Sequence, residues 1–255
     1  MKRMDIRYKK GKEWHRAGSL LEITGAAYMD APVISVVGAG GKTTTIWRMA
    51  EEFVMRNKPV IVTTTTHMKK ETFPWFLWEP SICKMERILE AYKKVCVGVP
   101  AENGKIQSVP KEFLGEILKL GRPVLIEADG AKHMPVKVPA EHEPVILPQS
   151  THVFAVYGMD AVGSTIEEAC FRRKRAEILL RKSGKEKITA QDIAMLASSE
   201  YGGRKNCPPD TGYWVILNKA EGASRLAAAE EICWILQREG IKNVLVTGEG
   251  VQSRT

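Results

Sequence analysis

The chain has 255 residues, of which 44% are apolar and 27% are charged, and its formal net charge is +8. This length suits one large α/β domain, and this composition is that of an ordinary globular protein. The positive charge favours an anionic partner such as a nucleotide, but the basic residues are spread along the chain, which argues against nucleic acid. No run of 18 apolar residues occurs, so we expect no membrane-spanning segment.

The five cysteines include no pair at C-x-x-C spacing. This pattern predicts neither a disulfide framework nor a zinc ribbon, and reduced thiols are typical of a cytoplasmic protein. The basic N-terminus is followed by no apolar run, so it lacks the pattern of a signal peptide. We expect a single domain over residues 1–255, with residues 1–18 as a candidate flexible segment.

Short apolar, β-branched runs alternate with segments of helical periodicity along the chain. Such alternation predicts an α/β fold of three layers, in which a mainly parallel sheet has helices on both faces. An Asn-Gly pair at 103–104 suggests a hairpin. The predicted strands are 33–37, 59–63, 95–99, 122–130, 151–158, 212–221 and 242–248, and the predicted helices are 43–55, 111–120, 167–181, 189–199 and 223–238.

A glycine-rich turn, VVGAGGKTTT, lies between the strand at 33–37 and the helix at 43–55. This is the context of a phosphate-binding loop (P-loop), in which backbone N–H groups and the helix N-terminus bind phosphate. Lys42 would neutralise the β and γ oxygens, and the Thr43 hydroxyl would ligate Mg²⁺. The nucleotide-binding residues expected here are Gly38, Ala39, Gly40, Gly41, Lys42, Thr43 and Thr44.

The common form of this loop has a glycine where this chain has Val36. We interpret Val36 as a core residue of the strand and place the start of the loop at Gly38. The tighter loop resembles those of the peptide ligases that build cell-wall precursors and of maturation GTPases. The alternative is a glycine turn that merely packs helix against strand, which leaves Lys42 without a purpose.

Two acids, Glu127 and Asp129, end the strand that reads PVLIEADG. They alternate along the strand and therefore point the same way. Asp129 is expected to hold Mg²⁺, as the aspartate of a Walker B strand does, and Glu127 to orient or deprotonate a water or to form a salt bridge in the core. The alternative is that both acids cap a strand end.

The stretch VILNKAE places Asn218, Lys219 and Glu221 at the end of another strand. This arrangement is close to the N-K-x-D guanine reader, in which the carboxylate accepts the guanine hydrogens. Glu221 is one methylene longer than the aspartate of that motif, so ATP and GTP both remain candidates. An ordinary polar turn is the alternative.

Four threonines and a histidine, TTTTH, end the strand at 59–63. A threonine hydroxyl beside the phosphate loop, that of Thr65 in particular, is a candidate ligand of Mg²⁺ or of the γ-phosphate. His67 is a candidate catalytic residue. An ordinary surface or core histidine is the alternative.

The segment 129–150 is rich in proline and charge and shows no periodicity. Prolines would hold it as a rigid loop beyond the carboxyl ends of the strands, where ligands of open α/β sheets bind. Its basic residues suit an anionic second substrate such as a pterin phosphate, although a rigid surface loop is the alternative. The candidate substrate residues are Lys132, His133, Lys137 and His142.

Three motifs, VVGAGGKTTT, VTTTTHM and EADGAKHMPVKVPAEHEPVILP, together resemble the selenium-dependent hydroxylase accessory proteins of the YqeC family. The resemblance runs from about Leu20 to Gly248 and includes GMDAVG and LNKAE. It implies a P-loop NTPase-like fold. It also implies a role in maturing selenium-containing molybdenum hydroxylases, with the hydroxylase or its pterin cofactor as partner.

Our first hypothesis is therefore a Mg²⁺-dependent protein that binds ATP or GTP and hydrolyses or transfers the γ-phosphoryl group while assisting this maturation. A second hypothesis is a ligase- or kinase-like enzyme that uses ATP on a small anionic substrate. A third is a non-catalytic module that presents a cofactor or a selenium species to a partner.

Overall fold

The structure, a computed structural model, describes residues 4–11 and 13–249. Strands and helices alternate along most of its length. The strands are β1 (Met4–Lys10), β2 (Glu13–Ala17), β3 (Val33–Gly38), β4 (Val60–Thr64), β5 (His67–Lys69), β6 (Phe76–Leu77), β7 (Lys94–Val97), β8 (Val99–Ala101), β9 (Lys105–Gln107), β10 (Val124–Glu127), β11 (Val136–Lys137), β12 (His152–Gly158), β13 (Cys170–Phe171), β14 (Gly212–Asn218) and β15 (Val244–Glu249). The helices are α1 (Leu20–Thr24), α2 (Lys42–Met55), α3 (Ile82–Tyr92), α4 (Lys111–Lys119), α5 (Ile166–Ala169), α6 (Arg173–Leu180), α7 (Ala190–Ser198) and α8 (Ala223–Arg238).

A ten-stranded sheet with the order β2-β1-β15-β14-β12-β3-β10-β4-β7-β6 forms the centre of the fold. The strands from β15 to β6 are all parallel to their neighbours, and β1 and β2 add an antiparallel edge. Strands β5, β9 and β8 form a separate small antiparallel sheet, with the hairpin turn at 103–104 as expected. The predicted α/β class with a mainly parallel sheet is confirmed.

Helices cover both faces of the large sheet, and alternate residues of each strand separate into two cores. In β3, Val33 and Val37 face one core while Ile34 and Val36 face the other. Helices α3, α4, α7 and α8 contribute to the first core, and α1 and α2 contribute to the second. Among residues 4–11 and 13–249, no helix combines the length and the apolar character that crossing a membrane requires.

The N-terminal segment differs from the expectation of a flexible region. Residues 4–8 pair with β15, and residues 13–17 pair with residues 6–10, so both β1 and β2 belong to the large sheet; residues 1–3, 12 and 250–255 lie outside the described part. Ile6 is fully buried in the second core. Strand pairing and the buried Ile6 side chain therefore hold this segment in the sheet. Its many charged residues are typical of an exposed segment, so the sequence did not predict these strands.

The helix predicted at 167–181 is interrupted. Residues 170–171 form β13, which pairs in parallel with β11, and Arg172 has a left-handed φ of 66°. The helical periodicity is therefore divided between α5 and α6. The pairing of β13 with β11 attaches this region to the segment that carries Lys137.

Candidate functional site

The glycine-rich turn joins the central strand β3 to helix α2. Strand β3 continues to Gly38, and α2 begins at Lys42, so the loop is as short as the sequence indicates. Val36 is fully buried and belongs to the core between the sheet and α2. Its place in the strand explains why no glycine occurs there.

Glycine is required at positions 38, 40 and 41 of the loop by close contacts as well as by backbone conformation. Gly40 has φ of 77°, and a Cβ there would lie 2.2 Å from Gly158 N and 2.5 Å from Pro135 O. Gly41 has φ of 136°, and a Cβ there would lie 2.1 Å from Asn218 Nδ2. The loop is thus enclosed by residues from three other parts of the chain, and any side chain would force them apart.

The backbone donors of the loop are only partly available to a ligand. The N–H of Gly38 donates to Asp129 Oδ2 at 3.0 Å, that of Ala39 to Val156 O at 2.8 Å, and that of Gly40 to Met134 O at 3.1 Å. The expectation that all N–H groups from residue 38 to residue 43 wrap a phosphate is therefore corrected. Gly41 caps α2 without a side chain, so the donors that remain for a ligand are its own N–H and those of the first helical turn, residues 42–44.

Lys42 is buried and contacts both the loop and Asp129. Its Nζ donates to Gly38 O at 2.7 Å and lies 3.0 Å from Asp129 Oδ1. The contact with Oδ1 is an ion pair without hydrogen-bond geometry, so this buried oxygen has no hydrogen-bond donor among the described residues. A buried carboxylate oxygen in this condition is suited to a cation or a water.

Glu127 ends β10 and contacts the first turn of α2. Its Oε2 accepts a hydrogen bond from the Thr43 hydroxyl at 2.9 Å. Burial raises the pKa of Glu127 above its ordinary value of 4.5, and the nearby Lys42 and the bond from Thr43 oppose the shift. A carboxyl group with a raised pKa beside a phosphate loop is well placed to exchange a proton with water.

The Asn-Lys-Ala-Glu stretch lies at the end of β14, next to the loop. Asn218 donates to Gly40 O at 2.8 Å and accepts from the Thr247 hydroxyl at 2.9 Å. Lys219 forms an ion pair with Asp160 at 2.6 Å, and Glu221 accepts from the N–H of Glu249 at 2.7 Å. The polar groups of this stretch therefore form contacts within the protein, and that of Asn218 directly supports the loop.

The candidate threonines near β4 and α2 and the candidate histidine have different surroundings in the structure. The Thr65 hydroxyl donates to Val145 O at 2.8 Å and so attaches the segment before β12, and its role as a Mg²⁺ ligand stays a prediction. Thr44 is exposed on the first turn of α2. His67 is exposed in the small sheet, where it lines an open groove of about 710 Å³ together with the 100–107 hairpin. The structure does not bring His67 into contact with the loop residues.

A tight turn at 131–134 lies directly against the phosphate loop. Lys132 and His133 both have left-handed φ, 47° and 62°, which is unusual for residues other than glycine. Met134 N donates back to Ala131 O at 3.0 Å, and Met134 O accepts from Gly40 N. Lys132, His133 and the more distant His142 are exposed, and their role in binding a substrate stays a prediction.

Lys137 differs from the other three candidate substrate residues because it is buried. Its Nζ lies 2.9 Å from Asp129 Oδ2 and donates to Gly130 O and to Glu143 Oε2, each at 2.7 Å. The expectation that Lys137 lies on an exposed substrate wall is corrected, since strand β11 turns its side chain inward to the acids. This lysine instead contacts the acid that also binds Lys42.

Glu143 and Arg172 extend this charge network, and the sequence did not single them out. Arg172 donates two hydrogen bonds to Glu143, at 2.6 and 3.0 Å, and its guanidinium lies 4.4 Å from the Phe171 ring centre. Although burial raises the pKa of Glu143, the hydrogen bonds from Arg172 and Lys137 outweigh it and lower the pKa to about 2. In the sequence, the signal for Glu143 was its position among the prolines of the segment 129–150.

These features define the class of protein. A mainly parallel sheet carries a glycine loop between a central strand and a helix, and an adjacent strand brings two acids to that loop, so this is an α/β protein with a P-loop. The chain belongs to the YqeC family. The family model described as "YqeC protein" matches residues 34–174.

The proteins that are similar to the chain include a curated relative and a solved structure. "Uncharacterized protein YqeC" of Escherichia coli (strain K12) is 30% identical over 234 residues, which is 89% of this chain and 91% of that protein. Among solved structures, the "MinC:MinD cell division protein complex, Aquifex aeolicus" is similar with a TM-score of 0.39 and 14% identity, over 81% of this chain and 78% of that one.

Proposed function

We propose that this protein binds ATP or GTP with Mg²⁺ and hydrolyses or transfers the γ-phosphoryl group. The observation that carries the proposal is the loop itself: Lys42 and the free donors of the first turn of α2 lie beside Asp129 and Glu127. Positive charge and N–H groups at this point suit phosphate oxygens. Catalysis at such a site consists mainly of positioning and of charge neutralisation.

The residues that would hold Mg²⁺ are Thr43, through its hydroxyl, and Asp129, through Oδ1. The buried Oδ1 without a hydrogen-bond donor supports this assignment, and oxygen is the ligand that Mg²⁺ prefers. When bound, Mg²⁺ neutralises charge on the phosphate oxygens. Mg²⁺ at such sites is typically held by one or two protein carboxylates together with the phosphates of the nucleotide.

Each of the remaining residues has a distinct role in this proposal. Lys42 moves from Gly38 O and Asp129 to the phosphates, where its charge stabilises the oxygens of the transferred group. Glu127 orients the attacking water and accepts its proton, which its raised pKa favours. Asn218 fixes the loop through Gly40 O, so that the donors of α2 keep their direction.

One experiment tests whether the protein binds a nucleotide and which base it prefers. Calorimetric titration of the protein with ATP and with GTP, each with Mg²⁺, followed by competition between them, identifies the nucleotide. If GTP is preferred, Glu221→Ala is expected to erase the preference. A protein that binds neither nucleotide contradicts the proposal.

Transfer to a second, anionic substrate is a second candidate function. It is favoured by the turn at Lys132 and His133, because this turn contains two left-handed residues next to Met134, whose carbonyl oxygen contacts Gly40, and such strain is often associated with function. Phosphate release, measured with and without candidate pterin substrates, distinguishes the two. Strong stimulation favours transfer, and unchanged release favours hydrolysis alone.

The role in maturing selenium-dependent molybdenum hydroxylases is supported by the resemblance in sequence motifs. It predicts that the hydroxylase, or its pterin cofactor, changes the rate of nucleotide turnover. Tight nucleotide binding without turnover, even with the hydroxylase present, would instead favour a non-catalytic module that presents a cofactor.

A further inference from the structure

A line of alternating charges runs from the phosphate loop to the region around β13. Its members, each in contact with the next, are Lys42, Asp129, Lys137, Glu143 and Arg172. All but Arg172 are buried. Buried charges are stable only when they are paired, so the loss of one member removes one counter-ion from each of its neighbours.

The two oxygens of Asp129 have different surroundings. Oδ2 accepts from Gly38 N at 3.0 Å and lies 2.9 Å from Lys137 Nζ. Oδ1 has Lys42 at 3.0 Å and no hydrogen-bond donor among the described residues. The carboxylate is therefore fixed through one oxygen, and the other is directed at the ammonium group that would bind phosphate.

Within this line of charges, nucleotide binding would break one contact, the ion pair between Lys42 and Asp129. In the proposed function Lys42 leaves Asp129 for the phosphates, and a buried carboxylate that loses a counter-ion is destabilised strongly unless another remains. Lys137 stays next to Asp129 when Lys42 leaves, because its ammonium group also donates to Gly130 O and to Glu143. Glu143 is in turn fixed by two hydrogen bonds from Arg172.

We propose that Lys137 is the resident counter-ion of Asp129, a positioning residue that keeps Oδ1 turned toward the loop when Lys42 binds phosphate. This inference rests on the proposed function. It replaces a substrate role for Lys137 with a role in forming the Mg²⁺ site. Groups that orient a metal ligand typically change metal affinity by about 10- to 100-fold when removed.

The test is a Mg²⁺ titration of nucleotide binding, using whichever of ATP and GTP the wild type binds more tightly. Lys137→Met is expected to raise the Mg²⁺ concentration for half-maximal binding by about tenfold. Binding in EDTA should stay within about threefold of the wild type, because the loop donors and Lys42 are unchanged. Lys137→Arg keeps the charge and should restore most of the Mg²⁺ response.

Lys205→Met is the matched control. Lys205 Nζ donates to the carbonyl oxygens of Ala140, Glu141 and Glu143 at 2.6 to 2.7 Å, so it anchors the same segment without contacting Asp129. The Mg²⁺ requirement of this variant should equal that of the wild type. An equal rise in both lysine variants would show a general effect of the segment and would overturn the inference.

A charge-balanced variant covers the case in which Lys137→Met does not fold. The double variant Lys137→Met/Glu143→Gln removes one positive and one negative charge, and thermal unfolding verifies its fold. It should show the same rise in Mg²⁺ requirement, and an unchanged requirement overturns the inference while nucleotide binding stands. A wild type that binds no nucleotide overturns the proposed function and this inference together.

Discussion

Asn218 Nδ2 lies 2.8 Å from the carbonyl oxygen of Gly40, and the same side chain accepts a hydrogen bond from Thr247. One amide thus joins the phosphate loop to the ends of two neighbouring parallel strands, β14 and β15. Both of these contacts are within the protein, so Asn218 supports the loop. This relationship gives the motif at 218–221 a structural role next to the proposed nucleotide.

Asn218→Ala should weaken both the fold and the binding of nucleotide. It leaves Gly40 O and the Thr247 hydroxyl without their partner, which costs about 1–3 kcal/mol of unfolding free energy for a buried group. Urea unfolding and calorimetric titration measure the two effects. As a control, Asn243→Ala removes one exposed hydrogen bond to Tyr213 O and should change stability by less than about 0.5 kcal/mol. Equal effects of the two variants would contradict the role of Asn218.

Gly40→Ala should abolish nucleotide binding and destabilise the fold. The added Cβ meets Gly158 N and Pro135 O, both backbone atoms, in a left-handed conformation whose strain alone costs about 1–3 kcal/mol. Gly115→Ala is the control, because its Cβ meets nothing within 4 Å and it lies inside helix α4. We expect that variant to be neutral or more stable by about 0.5–1 kcal/mol. Nucleotide binding by Gly40→Ala with the affinity of the wild type would contradict the finding that the loop has no room for a side chain at this position.

Glu127→Gln should lower kcat for nucleotide hydrolysis by about 10²–10⁴. The amide keeps the size of the side chain and its hydrogen-bond contact with Thr43 but cannot accept a proton. Nucleotide affinity should remain within about threefold of the wild type. The exposed Glu116→Gln serves as the control in the same steady-state assay. Unchanged kcat in Glu127→Gln would remove Glu127 from the proposed chemistry.

Glu143 should make the stability of the fold depend on pH in the acid range. Its pKa is lowered from 4.5 in the unfolded chain to about 2 in the fold, so its contribution is complete above pH 4.5 and is lost as pH falls toward about 2. The difference in unfolding free energy between the wild type and Glu143→Gln should shrink across this window. Glu141→Gln, an exposed neighbour, should change stability by less than about 1 kcal/mol. A difference that stays constant across the window would contradict the assignment.

The phosphate loop and the parallel sheet could be predicted because their signals are local. A β-branched run, a glycine turn with Lys42 and a helical period follow one another within a short stretch, and β3 and α2 appear where that pattern predicts them. The same holds for the predicted helix at 189–199, which forms α7 directly after Thr189, whose hydroxyl accepts from Asp192 N. Such elements can be assigned from the local sequence pattern alone, without knowledge of tertiary contacts.

Contacts between distant parts of the chain could not be predicted in this way. The sequence shows that Lys137 is charged, but its burial depends on Asp129, Glu143 and the pairing of β11 with β13. The same pairing interrupts the helix predicted at 167–181, although the periodicity is present. Likewise, the N-terminal strand β1 is positioned by β15 at the other end of the chain.

The central claim, that this loop binds nucleotide phosphates through Lys42, is tested most directly by calorimetric titration of Lys42→Ala with Mg²⁺ and ATP or GTP. The control is Lys58→Ala, a lysine just beyond α2 whose Nζ donates to the carbonyl oxygens of Ala27 and Met29. We predict binding by the wild type and by Lys58→Ala. For Lys42→Ala we predict loss of binding by at least about 100-fold, or about 2.7 kcal/mol. Unchanged titration of Lys42→Ala would contradict the claim.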